Sequence, residues 1–164
     1  MKIVSLFPAG SEIICNLGLS DNLVAVSHEC DFPPLLNKKI RVTKSIITNS
    51  MDQRMIDQLV KNAIENNVLI NEVDNNKLLE INPDIIITQG LCEVCSISEN
   101  QVQATLKNNL CTLTSKTKII SLNATTFEEI CSEIKMIGRE VNKIEIAERL
   151  IPVSYTHLTL PTRR

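Results

Sequence analysis

Aromatic residues are scarce in this sequence, and tryptophan is absent. Phe7, Phe32, Phe127 and Tyr155 together make up 2% of the 164 residues. Because proteins that bind single-stranded nucleic acid stack bases on aromatic faces, this scarcity argues against that function. A net charge of −2, without a long run of either sign, also argues against a phosphate backbone as the partner.

Long hydrophobic runs and a secretory leader are missing as well. No stretch approaches the roughly 20 apolar residues that a membrane-spanning helix needs. Met1 and Lys2 lead directly into residues 3–6, which have a strand pattern, without the apolar region and cleavage site of a signal peptide. The sequence as written therefore predicts a cytoplasmic protein, unless its true start lies elsewhere.

Several catalytic patterns are also absent. The sequence has no Ser-His-Asp order, no paired carboxylates for acid–base work and no glycine-rich dinucleotide motif. It also lacks the Asp-x-His-x-x-Gly pattern of corrinoid enzymes. We therefore expect a protein that is not an enzyme.

What the chain does contain is an alternation of short aliphatic segments and amphipathic segments. This order predicts an α/β fold, with a mainly parallel sheet that is flanked by helices. The clearest strand is 84–88, whose run of isoleucines is typical of a strand buried on both faces. The other predicted strands are 2–6, 23–26, 118–122 and, as a weaker candidate, 68–70.

Capping patterns mark the ends of the predicted helices. Gly18 is a typical residue just beyond a helix end, here that of residues 13–17. Ser50, Asp74, Ser98 and Thr126 are predicted to cap helices that follow them, at about 51–66, 75–81, 99–108 and 127–150. The last helix is the longest, so we divide the chain into an α/β lobe (1–125), a long helix (126–151) and a tail (152–164).

The tail differs in character from the rest of the chain. Pro152 interrupts a strong helical pattern, and residues 153–162 have no helical periodicity. This stretch resembles the translated read-through of a transposon adaptor used in sequencing libraries. We therefore expect residues 152–164 to be a non-native tail, which is set aside in fold reasoning.

Three loops are candidates for a binding site, because ligands bind beyond the carboxyl ends of parallel strands. They comprise residues 7–12, 27–34 and 88–95. The first opens a helix, whose free N–H groups suit an anionic or amide group. The expected ligand contacts are Pro8, Ala9, Gly10, Ser11, His28, Glu29, Cys30, Asp31, Phe32, Gln89 and Leu91.

A possible metal site combines two of these loops. His28, Cys30, Cys92 and Cys95 supply nitrogen and sulfur ligands that suit tetrahedral zinc. The same ligands suit iron or the cobalt of a corrinoid. Alternatively, Cys92 and Cys95 form a redox pair, or the cysteines only fill space in the interior.

The three loops and their strands resemble a known family in this order. Residues 3–18, 24–34 and 81–89 are similar to the N-terminal lobe of the iron-siderophore/cobalamin periplasmic-binding-protein family. Within it, the cobalamin-binding subgroup carries segments similar to the His-Glu-Cys-Asp of residues 28–31 and the Leu-Cys-x-x-Cys of residues 91–95. The resemblance covers about residues 1–150.

The resemblance implies a substrate-binding protein of an ABC importer, with two lobes bridged by one long rigid helix. The ligand, cobalamin or another corrinoid or a related metal chelate, would lie between the lobes, and residues 127–150 would form the bridge. The second lobe is expected to be missing. Members are usually periplasmic or on the cell surface.

At the position of the acidic residue with which the family usually docks on the permease, this chain has Asn76. Glu72 and Asp74 lie nearby and are the candidate permease contacts.

The alternative to a transport protein is a cytoplasmic metal- or thiol-dependent protein that uses His28, Cys30, Cys92 and Cys95.

Overall fold

The computed structural model of the chain describes residues 1–48, 50–66, 68–90, 102 and 117–158. These residues form the strands β1 (Ile3–Ser5), β2 (Leu23–Val26), β3 (Ile40–Arg41), β4 (Thr43–Ser45), β5 (Asn71–Val73), β6 (Ile85–Gln89) and β7 (Lys118–Leu122). They also form the helices α1 (Pro8–Asn16), α2 (Gln53–Asn66), α3 (Asn75–Ile81), α4 (Phe127–Glu140) and α5 (Ile144–Leu158), and a 3-10 helix, Pro34–Lys38.

Five strands form one sheet in the order β3-β2-β1-β6-β7, and every neighbouring pair is parallel. The predicted α/β fold with a mainly parallel sheet is therefore confirmed. β4 and β5 form a separate antiparallel pair. Since the strands of the main sheet all run in one direction, the carboxyl ends of β1, β2, β6 and β7 lie at one edge, which we call the carboxyl edge.

The sheet is buried on both faces. Ile85 and Ile87 belong to the core on one face and Ile86 to the core on the other, as the alternation of side chains along a strand requires. The first core includes residues of the helices α1, α4 and α5, and the second includes Leu78 of α3 and Val102. This double burial accounts for the uniformly β-branched sequence of β6.

Strand boundaries in the main sheet agree with prediction for two strands and differ by one residue at each end for β1 and β6, whereas β3 was not predicted and the small sheet was predicted wrongly. The strands 23–26 and 118–122 are found as predicted. The predicted strand 68–70 is wrong, because the strand in this region is β5, which begins only at Asn71. In β5, Asn71 and Val73 pair with Ser45 and Thr43 of β4, and this pairing decides where the strand lies.

The predicted helix caps are correct where a single capping residue precedes the helix, and wrong where two candidates lie close together. The capping box of Thr126 with Glu129 and the cap at Asp74 are both confirmed. The predicted cap at Ser50 is wrong. Instead, the carboxylate of Asp52 accepts a 2.8 Å hydrogen bond from the backbone N–H of Met55, because Asp caps as well as Ser and lies directly before α2. The predicted helix that Ser98 would cap lies outside the described residues.

The single long helix over 127–150 is wrong. The chain leaves α4 at Val141, and Asn142 has the left-handed φ of 56° that lets the chain turn before α5 begins. A Cβ atom on Gly138 would lie only 2.6 Å from the Cβ of Ala147, whereas residues nine apart in a straight helix are separated by about 13.5 Å. These two small residues allow α4 and α5 to fold against each other.

Pro152 does not end the helical structure as predicted. It lies inside α5, which continues to Leu158, because a proline removes one backbone donor without forcing the helix to stop. The adaptor origin of 152–164 and the division into lobe, bridge and tail remain predictions. None of the helices in the described part of the chain is long and apolar enough to cross a membrane.

Candidate ligand-binding edge of the sheet

The loop after β1 divides into accessible and buried residues. Pro8, which opens α1, is half-buried and Ala9 is exposed, so both can touch a ligand. Gly10 and Ser11 are buried. A Cβ on Gly10 would lie 2.8 Å from Oγ of Ser5 and 2.9 Å from a methyl group of Ile87, so Gly10 is required for packing. The predicted ligand contacts of Gly10 and Ser11 stay a prediction, for two residues whose side of the helix faces the interior.

Cys30 also faces the interior. Its exposure is 0%, it belongs to the main hydrophobic core, and its sulfur lies 3.1 Å from Oγ of Ser11. Burial raises the pKa of the Cys30 thiol, and hydrogen bonds from Ser11 and the backbone of Ser27 only partly oppose this effect. Metals bind the thiolate, which burial disfavours here, and the predicted metal and ligand contacts of Cys30 stay a prediction.

The loop after β2 is held by the side chain of Arg41. One guanidinium nitrogen, Nη1, donates hydrogen bonds to the backbone oxygens of Ser27 (2.7 Å) and Cys30 (2.5 Å). These two contacts fix the loop at both ends of the segment 28–29. Arg41 was not predicted as a site residue, because nothing in the local sequence indicates that β3 lies beside β2.

His28 is the half-buried residue of this loop, and it contacts Thr43 of β4. Its backbone N–H donates to Oγ1 of Thr43 at 2.8 Å, and its ring nitrogen Nδ1 lies 2.7 Å from the same atom. Thr43 in turn donates a 3.1 Å hydrogen bond to Oγ of Ser27. The imidazole is therefore held in place by a hydroxyl that is itself almost fully buried.

The outward side of the same loop is exposed. Glu29 and Asp31 point their charges to solvent, and Phe32 is 62% exposed. Two further apolar residues nearby in the chain, Leu35 and Ile40, are 42% and 50% exposed. The ring of Phe32 therefore contributes little to the core and is open to a ligand.

A second feature of the carboxyl edge is a cavity of about 220 Å³ beside β6 and β7. It was missed in part by sequence reasoning, which placed Phe7, Ala9 and Gln89 in the candidate loops and none of the other residues that line it. The signal that was available is the position of residues 122–124 just after β7, at the same edge. The cavity is lined by Phe7, Ala9, Ile13, Gln89, Leu122, Ala124, Ile130 and Glu133.

Glu133 orders the loop on one wall of this cavity. Its Oε1 atom accepts hydrogen bonds from the backbone N–H groups of Asn123 (2.6 Å) and Ala124 (2.9 Å). The carboxylate is thus used by the protein itself. What the cavity offers to a ligand is mainly the apolar surface of its other residues.

The predicted metal cluster lies only partly within the described residues. Leu91, Cys92 and Cys95 lie outside the described residues, and Cys30 is buried. Within the described ranges no three His, Cys, Asp or Glu side chains are grouped so that they could hold a metal ion. Zinc or iron binding by His28, Cys30, Cys92 and Cys95 therefore stays a prediction.

The two carboxylates considered for permease docking already have partners. Glu72 lies 3.1 Å from Nζ of Lys44, and Asp74 lies 3.2 Å from Nζ of Lys77. Asp74 also caps α3, and its hydrogen bonds with Lys77 lower the pKa of the carboxyl group. Exposed ion pairs are worth at most about 1 kcal/mol, so a partner could replace that of Glu72, whereas Asp74 is committed to the helix. Docking at this surface stays a prediction.

No protein-family model matches this chain, and no curated protein matches it significantly. Solved structures do. The periplasmic vitamin B12 binding protein BtuF of Vibrio cholerae matches with a TM-score of 0.63 at 22% identity, over 96% of this chain and 48% of that protein. This chain therefore shares the fold of about half of that binding protein.

Two heme-binding proteins share this lobe. One from Pseudomonas aeruginosa matches with a TM-score of 0.63 at 18% identity, covering 95% of this chain and 43% of its own. HutB of Vibrio cholerae matches with a TM-score of 0.60 at 20% identity, covering 99% and 51%. This chain thus spans about half the length of the solved structures that it matches, and the shared feature is the fold.

Proposed function

We propose that this chain forms one wall of the ligand cleft in the substrate-binding component of an ABC importer, and that the ligand is a corrinoid such as cobalamin or a related metal chelate. The observation that carries the proposal is the carboxyl edge itself, where the held imidazole of His28 shares a short loop with the exposed ring of Phe32. The proteins with the same lobe are binding proteins for vitamin B12 and heme, which supports this ligand class.

The chemistry of the edge suits a metal macrocycle. An imidazole nitrogen is a good ligand for cobalt or iron, and an aromatic ring such as that of Phe32 packs on an apolar face. The cavity of about 220 Å³ is smaller than the roughly 300–1,000 Å³ of a typical ligand pocket. This size fits a lobe that supplies one wall and leaves the other wall to a second lobe.

A spectroscopic titration tests the proposal. The chain is titrated with aquocobalamin and, separately, with hemin, while the visible absorbance of the metal chelate is followed. We expect one of the two spectra to shift, and we expect His28→Ala to abolish the part of the shift that comes from axial coordination. His157→Ala is the matched control, because it removes the only other histidine.

The proposal would be overturned by a specific result. If neither chelate changes its spectrum nor releases heat in calorimetry well above micromolar concentrations, the edge does not bind this ligand class. A spectral shift that persists in His28→Ala and disappears in His157→Ala would show that His157, and not His28, contacts the metal.

A further inference from the structure

The hydroxyl group of Thr43 has three hydrogen-bond partners. It accepts from the backbone N–H of His28 at 2.8 Å, it lies 2.7 Å from Nδ1 of His28, and it donates to Oγ of Ser27 at 3.1 Å. Thr43 is 6% exposed and Ser27 is 1% exposed. Water therefore has little access to compete for any of these three positions.

Counting protons decides the direction of the bond to the ring. A threonine hydroxyl has one proton and two lone pairs. The proton of Thr43 is given to Ser27, whose Oγ also accepts from the backbone N–H of Glu29. One lone pair of Thr43 accepts a hydrogen bond from the backbone N–H of His28. The second lone pair therefore faces Nδ1 of His28 as an acceptor, so Nδ1 must carry the proton of that hydrogen bond.

We infer that Thr43 is a positioning residue that holds His28 as the Nδ1–H tautomer and so leaves a lone pair on Nε2 for a ligand. In the described part of the chain no residue donates to or accepts from Nε2. The arrangement matches a general feature of metal-binding histidines, whose second ring nitrogen is held by a neighbouring acceptor.

The tautomer narrows the ligand class, and this step rests on the proposed function. A lone pair on Nε2 can displace a bound water molecule from a metal centre. The Nε2–metal bond forms, the metal–water bond breaks, and neither a proton nor an electron is transferred. The edge is therefore suited to a corrinoid or heme with an exchangeable axial position, and not to a siderophore complex whose metal is already saturated.

Nitrogen NMR of the chain without any ligand tests the tautomer. In ¹⁵N-labelled protein at neutral to alkaline pH, we expect Nδ1 of His28 to carry the proton, with His157→Gln used to assign the signals. Thr43→Val removes the acceptor, so the Nε2–H form should become populated, while Thr43→Ser keeps a hydroxyl and should keep the Nδ1–H form. An Nε2–H signal in the unmodified chain overturns the inference, and this result does not depend on the folding of a variant.

Titration with aquocobalamin then separates the two proposals. We expect Thr43→Val to lower the affinity for aquocobalamin by about 10- to 100-fold, which is the usual effect of removing the hydrogen-bond partner of a metal-binding histidine. Thr43→Ser should restore the affinity. If Nδ1 of His28 carries the proton but neither chelate binds, only the proposed function is overturned. If the chelate binds but the ring of His28 carries its proton on Nε2, only the role of Thr43 is overturned. The same holds if Thr43→Val binds the chelate as tightly as the unmodified chain does.

Discussion

The inner and outer sides of the loop after β2 use adjacent residues for different purposes. Cys30 is fully buried against Ser11, whereas Phe32, two residues later, is 62% exposed. Arg41 holds the backbone on which both sides are built. The difference indicates that one short motif carries both a structural anchor and a binding surface, and that the two can be separated by substitution.

The largest effect is expected on the inner side. Cys30→Asp would place a carboxylate in the hydrophobic core, where the nearby guanidinium of Arg41 is already bound to the backbone oxygens of Ser27 and Cys30, so we expect a loss of about 3 kcal/mol or more in the free energy of unfolding. Urea unfolding followed by circular dichroism measures this change. Glu29→Gln, at the exposed neighbouring position, is the matched control and should stay within about 0.5 kcal/mol of the unmodified chain. Equal effects of the two substitutions would contradict the division of the loop.

A smaller effect is expected from alkaline pH. The pKa of the Cys30 thiol is raised above its ordinary value of 9.0, so the thiol ionises more readily in the unfolded chain. Its contribution to stability is therefore complete below that pH and is lost as the pH rises through the folded-state pKa, by at most about 1.4 kcal/mol per pH unit. Cys30→Ala should remove this part of the slope in urea unfolding measured at several pH values. Parallel curves for the variant and the unmodified chain would show that the thiol is not coupled to folding.

The smallest effect on stability is expected on the outer side. Phe32→Ser removes a ring that is mostly in solvent, so the free energy of unfolding should change by no more than about 0.5 kcal/mol. The same substitution should weaken the chelate-induced absorbance shift, because the ring is proposed to pack on the ligand. Leu35→Ser, at another exposed apolar position, serves as the control. A large loss of stability in Phe32→Ser would show that the outer side is also part of the core.

Much of the fold could be predicted because the signals are local. The isoleucines of β6 indicate a strand buried on both faces, and Thr126 and Glu129 form the capping box that their spacing predicts. The break between α4 and α5 could not be predicted in this way. It depends on Gly138 and Ala147 packing against each other, while the hydrophobic spacing continues through the turn.

The candidate site shows the same limit. The sequence placed His28 and Cys30 together in a loop at the carboxyl edge, yet alternate exposure within an irregular loop follows no period that can be read from residue types. Thr43 and Glu133 were missed because each reaches the edge from a different segment of the chain. Their roles depend on hydrogen bonds between residues that are distant in sequence.

By itself, the sequence determined that this protein is an α/β lobe with a parallel sheet, since strand hydrophobicity, helix caps and turn residues act over a few neighbouring positions. The inward-facing residues of the His-Glu-Cys-Asp motif, and the contact between the buried hydroxyl of Thr43 and the ring of His28, became known from the folded chain alone. The physical reason is that burial and proton direction are set by atoms brought together when β4 packs beside the loop after β2.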